Sequence, residues 1–311
     1  MNVVHNLDLT WREESVSRMV LGTAQLGLNY GIANTDDKPA ADESREIIKA
    51  AWGGGACFFD TAQGYGDSEK VLGQFLKEAG VVDQAGVITK LDPGLNPENP
   101  NEIYDSIVRS ADRLGKRPLW AVLLHRAEWL RFLAGGLGEA LKKARRDNLV
   151  RFLGVSVYTV EEARQVLTFE EMDVLQIPCN AWDQRMLASG LLAEARKKDR
   201  LCFVRSIYLQ GLLLMTAAQV AARLPDAAKA AECWWAVAEK LHIPPAELAM
   251  RFALSLDCPL VIGAERAEQV RTNVNLMKLS PLSKSERATL EKEMQPLISA
   301  DILNPARWQQ A

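Results

Sequence analysis

Histidine is scarce in this chain: His5, His125 and His242 are the only three in 311 residues, and no two stand at ligand-pair spacing. A histidine-built metal centre is not expected, and the expectation is no metal. The five cysteines (Cys57, Cys179, Cys202, Cys233, Cys258) form no CxxC pair and lie mostly in apolar runs, where a thiol acts as a small hydrophobe. An odd, scattered set argues against a disulfide framework and for a reducing compartment. Neither sign of charge dominates, since 37 Lys and Arg against 40 Asp and Glu leave a net of −3. No basic run could track a phosphate backbone, so neither nucleic acid nor an anionic membrane is an expected partner. Long apolar runs are missing as well, both near the N-terminus, where Asp8, Glu13 and Glu14 stand, and later in the chain. The expectation is a cytoplasmic protein with no membrane segment.

What the chain does have is repetition. Short apolar, β-branched runs recur at Met19 to Leu21, Cys57 to Phe59, Gly86 to Thr89, Leu119 to Leu124, Phe152 to Val155, Val174 to Ile177, Leu201 to Val204 and Leu260 to Ile262. Between or after them, helical spacing of apolar residues marks Ala41 to Trp52, Ser68 to Ala79, Glu102 to Leu114, Leu137 to Asp147, Val160 to Leu167, Leu187 to Lys198, Ala228 to Leu241 and Glu265 to Leu276. Continuous apolar strands are those of a parallel sheet buried on both faces, and eight of them alternating with helices predict a (β/α)₈ TIM barrel. One domain over residues 1–311 is the economical reading. A doubly wound open sheet is the runner-up, but no GxGxxG follows the first strand, and Gly53, Gly54 and Gly55 fall instead where a helix turns into a strand. Residues before Met19 are read as a hairpin or cap at the barrel bottom. The tail after Leu279 holds a helix-like Ser283 to Met294, and Tyr208 to Pro225 reads as a long loop.

Chemistry in such a barrel sits at the C-terminal ends of the strands. Asp60 ends the second strand with Tyr65 one short loop later, Lys90 ends the third, and His125 ends the fourth. Each alone has an ordinary structural explanation: a helix cap, a packed ring, a snorkelling ammonium, a satisfied histidine. Together they make a coherent set, because Asp60 beside a buried Lys90 keeps both charged, and the ammonium then favours ionisation of the Tyr65 phenol.

The run Asp60, Thr61, Ala62, Tyr65, Gly66, followed by Lys90 and His125, resembles the Asp, Tyr, Lys, His tetrad of the aldo-keto reductase superfamily. The likeness extends from Leu21, Gly22, Thr23 to Val261, Ile262, Gly263, Ala264 and Asn273. It implies reduction of an aldehyde or ketone, with hydride from a nicotinamide cofactor, a proton from Tyr65, Lys90 lowering the Tyr65 pKa, Asp60 orienting Lys90 and His125 positioning the carbonyl.

By the same resemblance the cofactor meets Gly22 and Thr23, Ser156 and Gln176 at the ends of strands five and six, Ser206, Leu209 and Gly211 in the strand-seven loop, and Gly263, Arg266, Gln269 and Asn273 after the last strand. Arg205 stands where the family usually sets an aromatic ring against the nicotinamide; a guanidinium plane can stack there, or can bind an acidic substrate. NADPH is the expected cofactor. Glu265 occupies a position where the family often has Ser, Lys or Arg facing the 2′-phosphate, which leaves NADH open unless Arg266 takes over the contact.

Arg126 and Trp182 are the candidate substrate contacts, with Trp129, Tyr208 and Trp308 as further aromatic candidates. The Asp183, Gln184, Arg185 run resembles bacterial members near the potassium-channel β-subunit branch, which raises the alternative of a cofactor-binding sensor or regulatory subunit with little turnover. A third reading makes Lys90 a Schiff-base nucleophile, against which Asp60 would keep it charged. The resemblance implies a small-molecule carbonyl substrate; the sequence does not name it and assigns no oligomeric state.

Overall fold

A computed structural model describes residues 8–34 and 38–308 of the chain; His5 therefore lies outside the described residues. The described residues open with an antiparallel hairpin, β1 (Asp8–Trp11) and β2 (Glu14–Ser17), in which Trp11 faces Glu14. Arg12 and Glu13 both take positive φ, 47° and 65°, as a two-residue hairpin turn matched to strand twist requires.

Eight strands then close into a barrel: β3 (Met19–Gly22), β4 (Phe58–Asp60), β5 (Gly86–Lys90), β6 (Leu119–Leu124), β7 (Val150–Ser156), β8 (Val174–Pro178), β9 (Leu201–Arg205) and β10 (Leu260–Gly263). Each pairs in parallel with the next, and β10 returns to β3 with Val261 opposite Val20. The expected barrel is the observed one, and the open sheet is not. Gly54 and Gly55 end the helix Ala41–Gly53, with Gly55 at φ 91°, so the glycine run makes the expected turn into a strand.

Strand parity divides the apolar residues into two cores. Leu21, Phe59, Val87, Val122, Leu153, Leu175, Val204 and Ile262 point outward into the sheath of helices, and Val20, Phe58, Ile88, Leu123, Val174, Phe203 and Val261 fill the interior. The interior plug is continued downward by the hairpin: Trp11 lies 5.0 Å from Phe152 and 6.2 Å from Trp120, ring centroid to centroid. The hairpin of residues 8–17 thus caps the barrel bottom as expected, and residues 1–7 lie outside the described residues.

Because side chains on a strand share a face every second residue, each interior apolar residue has a partner two positions on, at the mouth. The pairs run Phe58 to Asp60, Ile88 to Lys90, Leu123 to His125, Val174 to Gln176 and Phe203 to Arg205, with Val20 leading to Gly22 and Val261 to Gly263. One alternation therefore builds both the core and the candidate site.

Three helical details differ from the sequence reading. The stretch Leu187 to Lys198 breaks at Gly190, φ 76°, into Arg185–Ala188 and Leu191–Lys197. The loop from Tyr208 to Pro225 carries a helix, Ala217–Arg223, capped by Thr216, whose hydroxyl accepts from the Gln219 amide. A further helix, Pro245–Leu254, begins on a proline at its first position, where the missing N–H costs nothing. In the tail, Lys284–Met294 forms as expected, capped by Ser283.

Candidate active site

Tyr65 is held in a turn that leaves no room for side chains beneath it. Its amide donates to the Ala62 carbonyl at 3.0 Å, and a Cβ on Gly27 would collide with the Tyr65 carbonyl. Gly66 adopts φ 52° against the Gly27 backbone, so both glycines are needed for the loop after β4 to lie on the loop after β3.

Beside that turn, Lys90 is 1% exposed and Asp60 4%. The Lys90 Nζ donates to both Asp60 carboxylate oxygens at 2.7 Å and to the Thr61 carbonyl at 3.0 Å. Gln176 donates its amide to Asp60 Oδ1 at 2.7 Å. The Thr23 hydroxyl donates to the Asp60 carbonyl at 2.9 Å and accepts from Ser68 at 2.6 Å. The pair is thus desolvated but fully hydrogen-bonded, the condition under which buried opposite charges persist.

The Lys90 Nζ lies 5.1 Å from the centre of the Tyr65 ring, and the His125 ring stands edge-on to Tyr65 at 6.0 Å and 82°. Asp60, Tyr65, Lys90 and His125, each ordinary alone, are therefore brought together. Burial, then the charges of Lys90, Arg205 and Arg126, push the His125 imidazole down to about 4, so it is neutral near neutral pH. Its Nδ1 is buried without a partner, an orphan that a polar ligand group would satisfy.

For Tyr65 the electrostatics depart from expectation. Burial and the Asp60 carboxylate hold the phenol above its ordinary value, and the cation that opposes them is Arg205 rather than Lys90. The Lys90 charge is engaged at 2.7 Å by both Asp60 carboxylate oxygens, and of that pair it is the carboxylate that acts on the phenol.

A cleft of about 530 Å³ starts at Asp60 and Tyr65 and runs past Gln176 and Arg205 to the start of the helix Ala267–Leu276. Its wall includes Gly22, Thr23, Gln176, Arg205, Ser206, Gly211, Gly263, Arg266, Gln269 and Asn273, ten of the twelve residues named for the cofactor. The Ser206 carbonyl accepts from the buried Asn180 amide at 3.0 Å, and Ser206, Leu209, Gln210 and Gly211 all take positive φ, from 48° to 87°. Gln269 accepts from the Glu265 amide at 2.7 Å, closing the loop before the last helix. This volume lies within the range of about 300–1,000 Å³ usual for cofactor sites, and a helix N-terminus at one end suits a phosphate. The residues fit a nicotinamide dinucleotide.

Other candidates fall elsewhere. Ser156 and Leu209 are buried beside the cleft without lining it. Trp182 is packed into the outer core with its indole N–H unpaired, and Arg126 is exposed on the loop after β6. Neither forms the cleft wall. Trp129 is core, and Trp308 donates to the Ile302 carbonyl at 3.2 Å. Tyr208 does line the cleft, donating to Asn273 at 2.9 Å. The sequence reading passed over Gln25, Tyr30 and Gln210, which also line it. Their signal was position alone, Gln25 on the short helix Ala24–Gly27 after β3 and Tyr30 and Gln210 in the loops that follow β3 and β9. Among the described residues, no group of three or more His, Cys, Asp or Glu side chains could hold a metal ion, and no helix is long and apolar enough to cross a membrane.

Residues 18–294 match the model of the Aldo/keto reductase family, and the chain belongs to that family of nicotinamide-dependent oxidoreductases. It is 26% identical over 317 residues to the NADH-specific methylglyoxal reductase of Escherichia coli (strain K12), covering 90% of this chain and 95% of that protein. Its match to aldo-keto reductase str7 of Strobilurus tenacellus is 28% identical over 166 residues and spans 50% of this chain and 46% of that one. The fold is shared with an aldo-keto reductase of Bacillus halodurans solved in its holo form, at a TM-score of 0.73 and 20% identity over 94% of this chain and 97% of that one. These relatives do not confirm the potassium-channel β-subunit branch.

Proposed function

We propose that this protein reduces an aldehyde or ketone to an alcohol, with Tyr65 as the proton donor at the carbonyl oxygen. The observation that carries the reading is that Tyr65, with neutral His125 edge-on to its ring and the buried Lys90–Asp60 pair beside it, lines one end of a cleft of about 530 Å³. A bound nicotinamide supplies the hydride. A phenol held above its ordinary pKa stays protonated at neutral pH, as a donor must, and Arg205 limits how far its acidity falls. Neutral His125 offers an N–H to the same oxygen and fixes the carbonyl. Lys90, tied to Asp60 and through it to Gln176, sets the polar floor against which Tyr65 is oriented.

Glu265 and Glu268 flank Arg266 at the far end of the cleft. Two carboxylates against one guanidinium disfavour a 2′-phosphate, which supports NADH over the NADPH expected from the resemblance. The E. coli relative is described as NADH-specific.

Absorbance of NADH and NADPH followed with a panel of aldehydes and ketones tests both points. The Tyr65→Phe variant should lose on the order of 10²–10⁴ in rate while still binding the cofactor. Wild-type protein that binds a cofactor yet turns over no carbonyl would instead indicate a regulatory subunit. A marked preference for NADPH would overturn the NADH assignment.

A further inference from the structure

Lys90 and Arg205 both end barrel strands at the mouth, and the fold treats them differently. Lys90 is neutralised by Asp60. Arg205 has no carboxylate partner among the described residues: its Nη2 donates to the Val157 carbonyl at 3.1 Å and its Nη1 to the Ser206 hydroxyl at 3.3 Å. One face of the guanidinium is braced on Tyr158, with Cζ 4.4 Å from the ring centroid, and the residue lines the cleft together with Tyr65 and Asp60. Edge contacts to neutral acceptors and a stack on one face leave an uncompensated charge that cannot swing away from the reacting end. Its field is felt by Tyr65, His125, Lys90 and Tyr30 alike.

Hydride and proton must arrive at the two ends of one C=O bond, so a bound nicotinamide would place its ring at the Tyr65 end of the cleft, whose wall includes Arg205. In the balanced reaction a bound reduced nicotinamide would give its C4 hydrogen with both bonding electrons to the carbonyl carbon, Tyr65 would give its proton to the oxygen, and the nicotinamide would be left with one positive charge. A fixed cation opposes that charge.

We propose that Arg205 sets the balance between the two oxidation states of the cofactor, holding the reduced, uncharged nicotinamide more tightly than the oxidised, cationic one. This inference rests on the reading of the cleft as a nicotinamide site. Its consequences are easier release of the oxidised cofactor and a bound couple more oxidising than the free one, by about 30 mV for each tenfold ratio of dissociation constants.

Equilibrium titration of the full-length protein with NADH, NAD⁺, NADPH and NADP⁺, followed by tryptophan fluorescence or calorimetry, reads the ratio directly and needs no substrate. Comparison within one variant cancels any defect shared by both oxidation states. Wild type should bind the preferred reduced cofactor about tenfold or more tightly than its oxidised partner, Arg205→Gln should bring that ratio toward one, and Arg205→Lys, which keeps the charge, should retain most of it. A ratio indifferent to Arg205→Gln, or near one already in wild type, overturns the inference while leaving the nicotinamide reading in place. Failure of wild type to bind any of the four overturns both.

Discussion

Lys90 and Asp60, neighbours on adjacent barrel strands, meet at 2.7 Å through both carboxylate oxygens, and Gln176 completes the arrangement from across the barrel. Both side chains sit on the inward face one layer above Phe58 and Ile88, so two charges rest on an aromatic and aliphatic floor. Burial at that depth costs each charge its hydration, and only mutual neutralisation with satisfied hydrogen bonds makes the pair tolerable.

Breaking the pair from either side should therefore destabilise the fold as well as the chemistry. Lys90→Met leaves a buried carboxylate with Gln176 and no cation, and Asp60→Asn leaves a buried ammonium. Each should cost about 3–5 kcal/mol in urea unfolding, while the double variant should cost clearly less than the sum because neither orphaned charge remains. Strict additivity of the two losses would show that the charges do not depend on each other.

The barrel and the strand-end members of the site were legible in the sequence for one physical reason: parallel strands buried on both faces are continuous apolar runs, and a polar residue ending such a run marks the mouth; the role of Tyr65, a loop residue, came from the family resemblance. Asp60, Lys90, His125 and Gln176 all carry that signature. Tyr30 and Gln210 do not, since they come from loops whose path depends on close backbone approach rather than on periodicity; the loop after β3 reaches Gln210 through an Ala33 amide, 3.4 Å from the Gln210 carbonyl. Trp182 shows the opposite failure. A tryptophan shortly after a strand end suggested a pocket wall, yet the turn at Asn180, whose side chain accepts from the Trp182 and Asp183 amides at 2.9 Å, folds the ring back into the helical layer. The reversal at Tyr65 was equally hidden, because residue types alone do not say whether Asp60 or Tyr65 claims the Lys90 charge.

His125 supplies a pH test. Its imidazole is pushed from 6.5 down to about 4 in the fold, chiefly by burial. The unfolded chain therefore binds a proton that the folded chain refuses between those values, so the contribution of neutral His125 to stability is complete above about 6.5 and is lost as pH falls through 4. Wild type should lose on the order of 2–3 kcal/mol more than His125→Asn over that interval, seen as a steeper fall of Tm with acidification. Parallel Tm curves for the two proteins would place the imidazole in contact with water.

At the opposite end of the barrel, the hairpin can be tested apart from the chemistry. Trp11 is 9% exposed and rests on Phe152 and Trp120, and Trp120 contacts Phe58 and Phe203 in turn, so the aromatic plug runs from the hairpin into the layer beneath Asp60. Trp11→Ala should cost about 3–5 kcal/mol through the cavity it leaves. The Trp11 indole N–H is buried without a partner, which a phenyl ring would not be, so Trp11→Phe should cost much less than the alanine variant. Cofactor affinity, measured well below either variant's Tm, should stay at the wild-type value, since the cleft opens at the far end. If Trp11→Ala melts with wild type, the hairpin is an appendage rather than the floor of the barrel; if it loses cofactor affinity while still folded, the interior layer transmits strain from the bottom of the barrel to Asp60 and Lys90.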